Sequence, residues 1–218
     1  LHLSQHINTN SSLPMVKSSQ YLQKTLKPKL SIKAAPNYTK DIRSNYKKFD
    51  TNNIYSINRF SENNSSEGGL SMTYGSDYSI FDKKKFRELL NFKVANNIRF
   101  DDQKDLPGNN QLNQKTSNIF SEISFTPNEI LNIKYDTTIR NNLSDLSYEN
   151  LITSFNVNNI VTSFDYLNEN NTLNNNSYLS NSTEFKLDDN YSLSFSTRKN
   201  KTINLTEYYN LAYEYKND

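Results

Sequence analysis

The sequence predicts an all-β fold, an antiparallel transmembrane β-barrel to which the chain contributes about ten strands of a larger meander. Two observations carry this expectation. From about residue 117 to residue 216 the chain repeats a unit of roughly ten residues with alternating apolar and polar side chains, as in strands facing lipid on one side and water on the other. The connections are by turns very short and longer, like the periplasmic turns and extracellular loops of an outer-membrane barrel. No run of ~18 apolar residues occurs, which excludes a transmembrane helix; a barrel strand needs only ~9–11 residues with alternate ones apolar.

Taken in order, residues 1–19 are mixed, polar and without a period, and read as an irregular N-terminal segment, while 20–218 read as part of the barrel domain. Residues 21–34 hold a strand in which Pro28, lacking an N–H, belongs at an edge, a bulge or a strand end. The polar stretch 37–51 reads as loop. In 68–80, Leu70, Met72 and Tyr74 alternate with Ser71 and Thr73, and a second strand over 86–100 follows the turn at 82–85. Residues 100–116, with Asp101-Asp102, Pro107-Gly108 and Asn109-Asn110, read as a long outward-facing loop.

The regular strands come next. Leu131, Ile133, Tyr135, Thr137 and Ile139 alternate with Asn132, Lys134, Asp136, Thr138 and Arg140, and the period of two assigns Asn132, Lys134, Asp136 and Arg140 to the lumen. Tyr191, Leu193 and Phe195 likewise oppose Ser192, Ser194, Ser196 and Arg198. Thr126-Pro127-Asn128-Glu129, Asn158-Asn159 and Asp188-Asp189-Asn190 read as tight turns, and 141–146 and 168–176 as the longer connections between them, with Lys199-Asn200-Lys201 the one short exception. Glu207 breaks the pattern, because simple alternation places it on the apolar face with Leu205 and Tyr209. Either this strand projects above the bilayer or a bulge shifts its phase. In 147–157 neither face is cleanly apolar.

Hydrophobic residues make up 34% of the chain and the mean hydropathy is -0.85, a balance shared by disordered chains. The 15 Tyr and 12 Phe, with only 4 Gly and 5 Pro, argue for patterned order instead. A net charge of +2 with dispersed basic residues gives no support for a nucleic-acid partner, and Lys83-Lys84-Lys85, the one basic run, reads as a solvated turn. The absence of cysteine removes disulfide and thiolate chemistry. The chain starts without Met and stops within a strand-like pattern, which is expected of a fragment of a longer secreted precursor.

Catalytic and cofactor signatures are missing. His2 and His6 both lie in the N-terminal tail and read as exposed; Asp101, Asp102 and Asp105 lack the glycine and terminal glutamate of a calcium loop. There is no phosphate-cradling glycine loop and no GxSxG nucleophile turn. A non-enzymatic protein without a cofactor or metal is expected.

The most distinctive string is Asn53-Ile54-Tyr55-Ser56-Ile57-Asn58-Arg59-Phe60-Ser61, followed by Glu67-Gly68-Gly69 and Tyr74-Gly75. It resembles the stretch N-x-F-x-x-N-R-F-S-G-x-D-R-x-E-G-G that precedes a strand in the LptD family of lipopolysaccharide-assembly, or organic-solvent-tolerance, outer-membrane proteins. Asn58, Arg59, Phe60, Ser61, Glu67, Gly68 and Gly69 carry the match; Glu62 stands in place of the family's Gly, and Asn64-Ser65 in place of its Asp-Arg. The resemblance implies a bacterial outer-membrane transporter that places lipopolysaccharide in the outer leaflet, with a plug lipoprotein, LptE, inside the barrel and a periplasmic transport bridge delivering the substrate. It also implies that Asn58 to Ser61 form an extracellular-side loop packed toward the barrel interior, with Gly68-Gly69 letting the next strand begin beside it. Two other classes share the alternation: a porin or receptor-type channel, which lacks the motif, and a soluble β-rich surface adhesin, whose apolar face lies buried in a core.

Overall fold

The computed structural model describes residues 7–35, 39, 42–43, 47–60, 67–170, 175–188 and 190–216. His2, His6, Ser61, Glu62, Asn64, Ser65 and Asp189 lie outside the described residues. The strands are β1 (Ile7–Ser12), β2 (Met15–Ser18), β3 (Leu22–Ala35), β4 (Gly69–Asp82), β5 (Arg87–Arg99), β6 (Ile119–Phe125), β7 (Leu131–Ile139), β8 (Leu146–Val157), β9 (Ile160–Asn170), β10 (Asn175–Lys186), β11 (Tyr191–Asn200) and β12 (Leu205–Tyr215). They form one 12-stranded sheet in the order β1-β3-β4-β5-β6-β7-β8-β9-β10-β11-β12, with β2 also on β3. Among the described residues this order has two ends, and the fold is an all-β antiparallel sheet. The chain divides into two compact units, Leu1–Glu122 with Thr137–Ser147, and Ile123–Asp136 with Tyr148–Asp218.

The strand total exceeds the expected ten because the stretch 1–19, read as irregular, supplies β1 and β2. Both pair antiparallel with β3. Neither shows a period, since a sequence such as INTNSS is almost wholly polar and is held mainly by the backbone ladder, with Ser31 Oγ donating to Asn8 Oδ1 at 2.9 Å. Pro28 sits in the middle of β3, yet it meets the rule that proline avoids a ladder donor position. β1 pairs with residues 29–34 and β2 with 23–26, so Pro28 falls at the break between them, where its carbonyl accepts from Leu13 N–H at 3.1 Å.

The turns use the chemistry of their residues. Asn128 Oδ1 accepts the N–H groups of Ile130 and Leu131 at 3.0 and 2.9 Å, and Asp188 Oδ1 those of Asn190 and Tyr191 at 2.9 and 2.8 Å. Val157 pairs with Ile160 across Asn158-Asn159, with Asn158 at φ 52°. Asp82 Oδ1 caps the lysine turn by accepting from Lys84 and Lys85 N–H. The expected connection over 168–176 is shorter than its polarity suggested: β9 runs through Asn170 and β10 resumes at Asn175, with Asn168 paired to Ser177. Asparagine and serine can extend a ladder without marking its end.

In the second unit the register separates two faces. Leu151, Phe155 and Val157 of β8 lie on the same side as Phe164 and Tyr166 of β9, Leu179 and Phe185 of β10, Leu193 and Phe195 of β11, and Tyr209, Leu211 and Tyr213 of β12. These side chains are exposed or partly so, and among the described residues of the unit no core covers them. The opposite side carries Asn150, Ser154, Asp165, Ser163, Ser180, Ser182, Ser194 and Ser196, with Ile152, Val161 and Leu167 among them, so β8 and β9 are the least cleanly divided strands. Glu207 obeys this division through a bulge: Arg198 pairs with Tyr208 and Lys199 with Thr206, so Glu207 is the extra residue. It turns to the polar side, 3.1 Å from Arg198 Nε.

The first unit is likewise two-sided. Leu26, Leu30, Ile32, Leu70, Met72 and Tyr74 share one face of β3 and β4, while Lys29, Ser31, Lys33, Ser71, Thr73 and Asp77 share the other, continued in β5 by Asn97 and Arg99. The apolar face is open. A small core sits on the polar face and is built from the two long connections: Ile42, Phe49, Ile54 and Phe60 pack with Leu106 and Leu112 against Ala95 and Phe120. The sequence expectation read 37–51 and 100–116 as loops, the second facing outward, and only Asn58 to Ser61 as packing inward. The two connections instead fold on each other, with Ile42 N–H donating to Asp105 O at 2.9 Å and Asn110 Nδ2 to Lys47 O at 3.0 Å.

Candidate functional site

The motif segment begins with a tight turn. Asp50 carboxylate accepts the N–H groups of Asn52 and Asn53 at 2.8 Å each, Asn53 Oδ1 accepts from Asp50 N–H at 3.0 Å, and a 3-10 turn follows over Asn53–Tyr55. This geometry sends Ile54 and Phe60 into the loop core, where the Phe49 and Phe60 rings meet edge to face at 5.3 Å. Tyr55 turns toward the sheet. A Cβ built on Gly75 would collide with the Tyr55 hydroxyl and the Val94 carbonyl, so the glycine makes a notch in β4 that the tyrosine occupies. Burial, with Asp77 nearby adding to it, pushes the Tyr55 hydroxyl up to about 12. Gly75→Ala is expected to dislodge Tyr55 and cost about 1–3 kcal/mol by overpacking; a thermal unfolding curve in detergent unchanged from wild type would refute the notch.

Arg59 points away from the core into a buried ion cluster. Its guanidinium grips both oxygens of Glu67, Nε reaching Oε2 at 2.8 Å, in the bidentate arrangement that suits arginine and carboxylate. Arg99, from the end of β5, donates to the same carboxylate and to Gly68 O, and Lys33 of β3 reaches Glu67 Oε2 at 2.8 Å. The side chains of Arg59 and Glu67 are each 2% exposed. Burial alone would raise the Glu67 carboxyl, but the charge and hydrogen bonds of Arg59, with Lys33 and Arg99, hold it well below the usual carboxylate range. One carboxylate thus ties a loop residue to two strands.

The glycines fit this arrangement. Gly68 N–H donates to Thr39 Oγ1 at 3.0 Å, and Gly69, the first residue of β4, adopts φ 85°, a left-handed conformation that a Cβ would strain. Of the expected motif residues, Arg59, Phe60, Glu67, Gly68 and Gly69 are brought together; Asn58 is exposed. Sequence reasoning did not single out Lys33 and Arg99, which come from strands on either side of the motif. The alternation that puts Lys33 on the same face as Lys29 and Ser31 was the available signal.

Of the residues assigned to the lumen, Asn132, Lys134 and Asp136 alternate in β7 with Leu131, Ile133 and Tyr135, and Lys134 Nζ lies 3.6 Å from Asp136. Tyr148, on the polar side of β8 with Asn150, lies within electrostatic reach of Asp136, Lys134 and Asp165. Arg140 falls beyond the end of β7 and pairs with Asp145 across the turn at 3.0 Å.

A model of the LPS transport system D family, LptD, matches residues 4–201. The chain belongs to that family. LptD is a family of transport proteins rather than enzymes, an outer-membrane component of lipopolysaccharide transport. A comparison with curated proteins gives no match. Membership in LptD agrees with the motif: the carboxylate and arginine that carry the resemblance in sequence are bonded to each other in the fold.

Proposed function

We propose that this chain forms part of a closed transmembrane β-barrel in the bacterial outer membrane that receives lipopolysaccharide and releases it into the outer leaflet. The observation that carries the reading is the two-sided sheet within each unit, apolar and open on one face and polar on the other, in a chain of the LptD family. Lipid hydrocarbon is the solvent that such an open apolar face suits, because the backbone groups between neighbouring strands are satisfied in the ladder and closure would satisfy the two edges. Tyr191, Tyr213 and Tyr215, whose rings stack at 4.8–5.8 Å near the Asp188 turn, suit the headgroup level at one membrane boundary.

The polar faces, including Asn132, Lys134 and Asp136, then line a hydrated lumen able to hold a charged saccharide while acyl chains stay in lipid. The loop core of Phe49, Ile54 and Phe60 occupies part of that lumen, fastened by Arg59 and Glu67. LptE as plug and a periplasmic bridge as donor are the partners this reading carries over from the family. The test is depletion of the full-length protein in cells: surface lipopolysaccharide should fall and sensitivity to large hydrophobic antibiotics should rise. Restoration by wild type but poorly by Arg59→Ala would tie the loop to delivery. Normal surface lipopolysaccharide after depletion would refute the transport function.

A further inference from the structure

Beside the Tyr55 notch, the first unit holds a cavity of about 290 Å³ walled by β1, β3 and the motif turn, lined mainly from the polar face, with Ser11 and Leu30 of the other face at its margin. We propose that it is a binding subsite for a phosphorylated sugar; this rests on the transport reading for its biological ligand, the inner-core saccharide of lipopolysaccharide. Asn10 and Ser12 of β1 stand opposite Ser31 and Lys29 and so project from the polar face, and Asn52 closes the cavity from the turn. No hydrogen bond to the side chains of Asn10, Ser12 or Asn52 occurs among the described residues. Primary amides and a hydroxyl, each both donor and acceptor, are matched to sugar hydroxyls, and the Tyr55 ring at the wall offers an apolar surface for sugar C–H groups.

The charges select an anionic sugar. Lys29 is neutralised by its ion pair with Asp77 and lies 5.6 Å from the Tyr55 ring centre. Lys27, two residues along the same face, lines the cavity with no ion pair among the described residues. That leaves one free ammonium beside neutral donors, the donor set for a sugar carrying a phosphate. A volume of this size accommodates one sugar ring with its substituent rather than a whole lipopolysaccharide headgroup.

Calorimetric titration of the detergent-solubilised full-length protein tests the subsite. The probes are inner-core oligosaccharide freed of acyl chains, the same oligosaccharide after phosphatase treatment, glucose 6-phosphate and inorganic phosphate. Wild type is expected to bind the phosphorylated oligosaccharide saturably and about tenfold more tightly than the dephosphorylated form. Lys27→Gln should erase that difference, and Asn52→Ala should weaken both forms, with heat-modifiable migration on gels confirming that each variant is folded. Equal affinity for glucose 6-phosphate would keep the sugar-phosphate class and assign the ligand to a free metabolite. No saturation with wild type, an unchanged Lys27→Gln, or inorganic phosphate binding as tightly as the oligosaccharide would overturn the subsite. Depletion phenotypes report on transport separately, so a protein required for delivery that fails to bind the oligosaccharide refutes the subsite alone.

Discussion

Glu67→Gln is expected to destabilise the protein by about 3–5 kcal/mol, the loss that follows when one member of a buried charge cluster is removed. Three cations converge on this carboxylate, and without its charge Arg59, Arg99 and Lys33 face one another out of water. Arg59→Ala should be milder, because Glu67 keeps Arg99 and Lys33. The pH dependence has a definite sign. A carboxyl held low in the folded state contributes its stabilisation in full above the unfolded pKa of ~4.3, and loses it as pH falls below that value and through the folded one. The gap between wild type and Glu67→Gln should therefore be widest at neutral pH and narrow in acid. Denaturant unfolding in detergent at neutral and acid pH measures it; a variant within about 1 kcal/mol of wild type at neutral pH would show the cluster to be structurally neutral.

Strand existence was legible from the sequence because period-two alternation survives tertiary context. Leu131 to Ile139 and Tyr191 to Asn200 fall where the pattern put them, within a residue or two. At Glu207 the sequence showed only that the pattern breaks, leaving a projecting strand or a bulge as its cause, and the ladder decides for the bulge opposite Arg198. β1 was not legible, because Asn8, Thr9, Asn10, Ser11 and Ser12 have no apolar side to alternate. The loop core was hidden for a different reason. Phe49, Ile54 and Phe60 are spaced irregularly through polar sequence, and only contact with Leu106, Leu112 and Phe120, far along the chain, makes them a core. Arg59 and Glu67 could be named from the motif; alternation gave the face of Lys33, but only the ladder register brings β3 and β5 to the same carboxylate and so makes Lys33 and Arg99 its partners.

Phe195→Arg and Ser194→Arg test the two faces at adjacent positions near the middle of β11. Phe195 lies opposite Thr183 and Leu211 on the open apolar side, whereas Ser194 lies opposite Glu184 on the polar side. If the apolar side meets lipid, arginine at 195 costs roughly 2–4 kcal/mol near the bilayer midplane, while arginine at 194 stays hydrated and gains Glu184 as a partner. The expected result is a large loss of the heat-modifiable folded form in outer-membrane fractions for Phe195→Arg and near-normal assembly for Ser194→Arg. A sheet whose apolar side was covered by protein would also reject Phe195→Arg, so the pair is read with Phe195→Leu as well. Lipid accepts leucine almost without loss, whereas a packed protein core would lose about 1 kcal/mol or more to the altered shape. Equal assembly of the two arginine variants would remove the membrane from this face of the sheet.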